Sequence, residues 1–175
     1  MLTVIMLVAT VILIAADQLT KIWAVTQLHN AERVIPVIEE VFELRYAENP
    51  GVAFSMLEGQ RWIFIPITLL IAGAIVMMML RSPLRCYPMF NITCVLILSG
   101  AVGNLIDRIA YGYVIDFLYF KLIDFPIFNF ADCCVVVGAG LLFIFILFVF
   151  KEDDDIPMRT LFFGIPKKHK EKSDG

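Results

Sequence analysis

Polar residues fall in a few short islands between four long apolar stretches. The stretches run over residues 2–23, 62–80, 88–106 and 131–150, to within a few residues at each end. A bilayer core about 30 Å thick needs roughly 20 apolar residues at 1.5 Å rise each, so each stretch predicts a membrane-spanning helix. The first carries Asp17, Gln18 and Lys21 in its last third; the fourth has no charge between Asp132 and Lys151. The start of the first stretch lacks Lys and Arg and no small-x-small site follows it, so it is expected to remain as a helix rather than be removed as a signal peptide. The period changes in residues 24–61. There Phe42, Leu44 and Tyr46 alternate with Glu43 and Arg45, as in a half-buried strand. Residues 34–38 suggest a second strand, which Pro36 confines to an edge or a break. Asn49-Pro50-Gly51 signals a turn. The expected architecture is a four-helix transmembrane bundle with a small β-sheet on the membrane surface, its apolar face toward lipid or the helices. Residues 1–152 read as one transmembrane domain and residues 153–175 as a polar tail.

Composition agrees with that pattern. Of the 175 residues 60% are hydrophobic and the mean hydropathy is +0.84, where soluble domains have about 45–50% apolar residues. The net charge of −3 is small, and no basic cluster is interleaved with aromatics, which sets nucleic-acid binding aside. Lys and Arg do set an orientation. Arg81 and Arg85 lie between the second and third spans, and Lys151, Arg159, Lys167, Lys168, Lys170 and Lys172 follow the fourth. With four spans these regions and both termini share one side, which should be cytoplasmic. The long segment after the first span and residues 107–130 then belong to the outer side. Cys86, Cys94, Cys133 and Cys134 lie in or beside apolar segments without metal-ligand spacing, so they are read as buried small hydrophobes and no metal or cofactor is expected.

The polar islands carry the candidate chemistry. Asp17 and Lys21, at i and i+4, share a helix face. They form either an interfacial ion pair with Lys21 snorkelling outward or part of a site. Gly100, Gly103, Asn104, Asp107 and Arg108 fall on one helical stripe, whose small residues permit close helix approach. Its polar end makes either a surface ion pair or the wall of a polar site. Asn129 stands where an N-cap of the fourth span belongs, which makes Asp132 its N3 residue, favoured by the helix dipole. Asp116 is a second carboxylate in an equally apolar setting. Asp124-Phe125-Pro126 reads as a turn that would fold the segment between them back as a hairpin-like loop.

A carboxylate at or near a membrane is a functional-site hypothesis by default, and two that share a site cannot both ionise easily. Other catalysts lack parts. His29 and His169 are expected on opposite sides of the membrane, no Ser comes with a base, and neither a His-Glu-x-x-His pattern nor a Gly-rich phosphate loop is present. An aspartate pair activating water is the hydrolytic chemistry these residues support. The competing reading is a transporter or channel subunit that uses Asp107, Asp116 and Asp132 as a proton or cation relay.

Five islands in order resemble the lipoprotein signal peptidase (signal peptidase II) family over residues 17–150. They are Asp17-x-x-Thr20-Lys21, Asn49-x-Gly51-x-Ala53-Phe54, Gly100-Ala101-x-Gly103-Asn104-x-x-Asp107-Arg108, Val114-x-Asp116-Phe117 and Phe128-Asn129-x-Ala131-Asp132. The resemblance implies an aspartic endopeptidase of the bacterial inner membrane. Its substrates would be diacylglyceryl-modified prolipoproteins, cut just before the lipidated Cys, with membrane lipid around it and globomycin as an inhibitor. It implies Asp116 and Asp132 as the catalytic pair. Asp17, Lys21, Asn49, Gly51, Asn104, Asp107, Arg108 and Asn129 would be supporting or substrate-contacting residues. Ser99 stands where the family usually has Gly; its hydroxyl is expected to bond back to its own helix.

Overall fold

A computed structural model of the chain describes residues 1–51 and 61–149. Backbone placed in hydrocarbon must satisfy its own hydrogen bonds, and the four apolar stretches do so as helices. These are α1 (Leu2–Ala24, continued by a π-helical turn Val25–His29), α2 (Arg61–Arg81), α3 (Pro88–Ala110) and α4 (Phe130–Ile144, continued by a π-helical turn Phe145–Val149). All four are long and apolar enough to cross a membrane. The α3 helix runs four residues beyond its expected end at Ile106 and carries Asp107 and Arg108 inside its last turns. Ala53 and Phe54 of the second island, and the expected polar tail, lie outside the described residues.

The bundle is organised around α3. Twelve of its 23 residues are buried, against five of 23 in α1. At one end of the bundle its apolar residues Phe90, Cys94, Val95 and Leu98 pack with Met6, Met79 and Phe145. At the other end its buried residues turn polar, with Asn104 and Asp107. Helix packing there depends on absent side chains. A Cβ on Gly100 would overlap the Ala131 carbonyl oxygen, and one on Gly103 would stand 2.6 Å from Asp17 Oδ2. The glycine stripe therefore brings α3 against both α4 and the polar part of α1.

A three-stranded antiparallel sheet lies at that polar end: β1 (Ile35–Ile38), β2 (Phe42–Asn49) and β3 (Val114–Tyr119), in that order. Pro36 sits on the edge strand, beside an irregularity between Pro36 and Ile38, as its missing N–H requires. The β3 strand was not expected from the sequence. The expected hairpin-like loop begins only after it, closed by a bridge between Leu118 and Phe128 and turned by Asp124 at φ 47°. Pairing of Ala47 with Asp116 and of Asn49 with Val114 places Asn49 beside Asp116. Leu44, Tyr46, Ile35 and Leu118 pack on Ala24, Leu28 and Phe117, so this apolar face meets the helices rather than lipid.

Candidate active site

Charged groups in an apolar bundle must find partners, and those of α1 find theirs inside. Lys21 does not snorkel outward as the i, i+4 reading allowed: it is 1% exposed. Its ammonium lies 2.9 Å from Asp17 Oδ2, 2.8 Å from Asp107 Oδ2 and 3.0 Å from Asn104 Oδ1. Two carboxylates outweigh one ammonium, and neutral donors cover the remaining lone pairs. Gln18 donates to Asp17 at 3.1 Å, to Asp107 at 3.1 Å and to the Gly103 carbonyl at 3.2 Å. Backbone donors complete the set. Asp17 accepts from the N–H of Ala131 at 2.9 Å, and Asp107 from the N–H of Ile115 at 3.1 Å. Ala131 directly precedes Asp132 and Ile115 directly precedes Asp116. The Asp17–Lys21–Asp107 layer thus holds the backbone beside each candidate carboxylate.

The two carboxylates meet through asparagines. Asn129 is the N-cap of α4 in a capping box: its Oδ1 accepts from Asp132 N at 2.9 Å and its own N–H donates to Asp132 Oδ2 at 3.1 Å. With the cap oxygen turned to the helix, its amide nitrogen faces the other way and donates to Asp116 Oδ1 at 2.6 Å. One side chain therefore bridges the helix start that carries Asp132 and the strand that carries Asp116. Asn104 is oriented by a similar constraint. Lys21 offers only donors, so the Asn104 oxygen must face it, and the amide nitrogen is left to donate to Asp132 Oδ1 at 2.8 Å. Asn49 donates to Asp116 Oδ2 at 2.9 Å and accepts from Gly51 N at 2.9 Å. Gly51 has φ 102°, a conformation that glycine adopts at little cost. The expected turn thereby fixes a donor on the candidate pair.

The pair is asymmetric. Asp116 is 1% exposed and Asp132 partly exposed. Burial pushes the Asp116 carboxyl up from 3.8 to about 7; the Asn49 hydrogen bond opposes this, and the charge of Asp132 adds to it. Asp132 lies in the first turn of α4. Asp107 and Arg108 separate. Asp107 turns to Lys21, while Arg108 donates to the Asn104 carbonyl at 3.4 Å, lies over the Phe64 ring at 5.4 Å, and acts electrostatically on Asp132 and Asp116.

All ten candidate residues lie at this end of the bundle; the glycines of the α3 stripe pack closely as expected, but among the described residues its polar end makes no surface ion pair, since Asp107 is buried against Lys21. Gln18 was missed as a site residue; a lone glutamine beside an aspartate gives no signal of two further partners on α3. Ser99 Oγ donates to the Val95 carbonyl at 2.6 Å, as expected. Cys94 and Cys134 are buried and Cys133 half-buried, but Cys86 is exposed, at variance with its reading as a buried hydrophobe. Among the described residues no cluster of His, Cys, Asp and Glu is suited to a metal. Asp107, Asp116 and Asp132 are gathered at one end rather than spread through the depth of the bundle, as a relay would need.

The family model described as Signal peptidase (SPase) II matches residues 9–148. A lipoprotein signal peptidase of Symbiobacterium thermophilum is 42% identical over 145 residues, 82% of this chain and 94% of the relative. Those of Halothermothrix orenii and Clostridioides difficile are 39% and 41% identical, each covering 79% of this chain and 92% and 91% of their own. Among solved structures, a bacterial membrane enzyme determined by the in meso method at 1.9 Å resolution has a TM-score of 0.73 and 29% identity, covering 82% of this chain and 92% of its own.

Proposed function

The chain belongs to the signal peptidase II family, proteases that remove signal peptides from prolipoproteins, and from that premise we propose that Asp116 and Asp132 are its catalytic pair. The observation that carries this is the Asn129 bridge, which ties the two carboxylates into one hydrogen-bonded unit. Asp132, ionised and reached by water, takes a proton as water attacks the scissile carbonyl. Asp116, protonated, donates a hydrogen bond to the carbonyl oxygen as charge develops there. When the tetrahedral adduct collapses, a proton passes to the departing amine and the carboxylic acid product is left. Asn104, Asn129 and Asn49 orient the pair, Asp17, Lys21 and Asp107 hold the backbone beside it, and Arg108 is placed to bind a peptide carbonyl or a lipid ester oxygen.

The substrate is a diacylglyceryl-modified prolipoprotein cut just before the lipidated Cys. Its acyl chains lie in membrane lipid against the apolar bundle, so cleavage becomes a problem of positioning rather than encounter. Globomycin, a cyclic peptide inhibitor, occupies the same site. The Lys/Arg bias supports cytoplasmic termini and a site near the outer face of a bacterial cytoplasmic membrane. The test is cleavage of a lipidated prolipoprotein by the purified full chain. Asp116→Asn and Asp132→Asn are each expected to lose at least about 10³-fold in rate, on the scale of general acid–base catalysis, while still inserting. The unlipidated substrate should stay intact, and globomycin should inhibit the parent protein. Near-normal cleavage by either variant overturns the assignment.

A further inference from the structure

One charged residue of the site lacks the partners that fix the others. Lys21 meets two carboxylates and an amide oxygen at 2.8–3.0 Å, and Asn129 is held at both ends of its amide. Arg108 makes one hydrogen bond among the described residues, a long one of 3.4 Å to the Asn104 carbonyl a turn back on its own helix. It lies within electrostatic reach of Asp132 and Asp116, yet forms no ion pair with either among the described residues. A guanidinium on a long stem has much rotamer freedom to lose, and one long bond does not hold it.

A ring from another helix meets it. Phe64 stands in the first turn of α2 and is half-buried. Its ring centroid is 5.4 Å from Arg108 Cζ, a distance at which an aromatic face attracts a cation. The ring is in turn braced by the end of β2. Its edge lies so close to Gly51 that a Cβ there would stand 3.2 Å from Phe64 Cε2 and 3.6 Å from Cζ. The missing side chain of Gly51 therefore makes room for the ring, besides permitting the φ of 102°. The same turn serves the carboxylate pair, since Gly51 N donates to Asn49 and Asn49 donates to Asp116.

We propose that Phe64 is a positioning residue of the peptidase reaction: its ring, braced by Gly51, holds the Arg108 guanidinium ready for a peptide carbonyl or lipid ester oxygen of the substrate. The inference rests on the role proposed above for Arg108. Its physical content is preorganisation, which lowers the ordering cost paid when substrate arrives. A phenyl ring is suited to this because it offers no hydrogen-bond acceptor. It orders the cation by its face and leaves the N–H fork free for a substrate oxygen. A carboxylate in its place would hold Arg108 more firmly and occupy the same donors. The sequence does not mark the residue: Phe64 is one of fifteen phenylalanines, inside an apolar run.

The test is a double-mutant cycle on the purified full chain, read as kcat/KM for a lipidated prolipoprotein. Phe64→Leu should lose at least about fivefold, the scale of a cation–π contact partly out of water. Arg108→Gln should lose at least about tenfold, the scale of a charged hydrogen bond. Because Phe64 acts through Arg108, adding Phe64→Leu to Arg108→Gln should cost less than about twofold more. A ring that merely supports the fold would cost the same factor in both backgrounds, and that result overturns the proposal. So does a Phe64→Leu or an Arg108→Gln protein within about twofold of the parent. Should Phe64→Leu fail to fold, judged by thermal unfolding in detergent, Phe64→Met, also apolar and without a ring, takes its place with the same expectations. Near-normal cleavage by Asp116→Asn would overturn the catalytic pair instead, since the cycle reads Phe64 against Arg108 whichever group activates water.

Discussion

Replacing Asp116 by Asn should abolish cleavage and yet make the protein more stable in alkaline solution. Burial lifts this carboxyl from 3.8 to about 7, so between those values the folded state holds a proton that the unfolded chain has released. Stability of the parent protein therefore falls as pH rises through this window. A displacement of about three pH units corresponds to on the order of 4 kcal/mol at about 1.36 kcal/mol per unit. Asn cannot ionise and lacks this loss. It carries a fixed cost instead: both Asp116 oxygens accept from N–H donors, Asn129 at 2.6 Å and Asn49 at 2.9 Å, so the new amide nitrogen must oppose one of them, at about 1–3 kcal/mol. Asp116→Asn should thus be the less stable protein at pH 4 by about 1–3 kcal/mol. At pH 8–9 it should be the more stable one by a similar amount. At about 2–4 °C per kcal/mol for a chain of this size, the difference in Tm should swing by about 8–16 °C. Thermal unfolding of both proteins in detergent from pH 4 to pH 9 measures it, and titrations common to the two cancel. A Tm difference that stays constant across this range refutes the reasoning.

Asn129→Ser separates two roles of one residue. Serine also caps helices well, so Tm should fall by no more than about 1 kcal/mol equivalent, whereas the lost donor to Asp116 should lower kcat by at least about tenfold, seen in the prolipoprotein assay. Lys21→Met leaves Asp17 and Asp107 buried without their cation and should cost about 3–5 kcal/mol. The double variant Lys21→Met with Asp107→Asn should recover part of that, and denaturation showing no recovery would argue against the shared ion pair. Gly100→Ala drives a methyl group into the Ala131 carbonyl oxygen and should destabilise by about 1–3 kcal/mol. Gly140→Ala, with nothing within 4 Å, should be neutral or slightly stabilising by helix propensity; equal Tm losses in the two would count against the close contact.

The four helices were legible because an apolar run of membrane length is rarely anything but a span. Strands β1 and β2 were legible as alternation and as a proline at an edge. The β3 strand was not, because Val114, Ile115, Asp116 and Phe117 are all buried, and a strand covered on both faces does not alternate. A capping box is local, so Asn129 and Asp132 could be paired from their spacing, but the second contact of Asn129 lies across a loop on Asp116. Spacing likewise put Asp17 and Lys21 on one face without saying where that face points. Its direction is settled by Asp107 and Asn104, 86 and 83 positions further along the chain. Asn49 and Gly51 owed their place among the candidates to the family resemblance alone, since the strand pairing that brings Asn49 to Asp116 has no local signature.

The reach of the Asp17 carboxylate has a consequence for the order of synthesis. It waits on α1 for the Ala131 N–H at the start of α4, 114 residues later, and that same turn of helix delivers Asp132. Until α4 emerges from the ribosome, the nascent chain holds Asp116 without its partner and Asp17 without one of its donors. On the proposed assignment, a half-inserted chain holds only one of the two carboxylates, so competence to cleave arrives in one event, with α4.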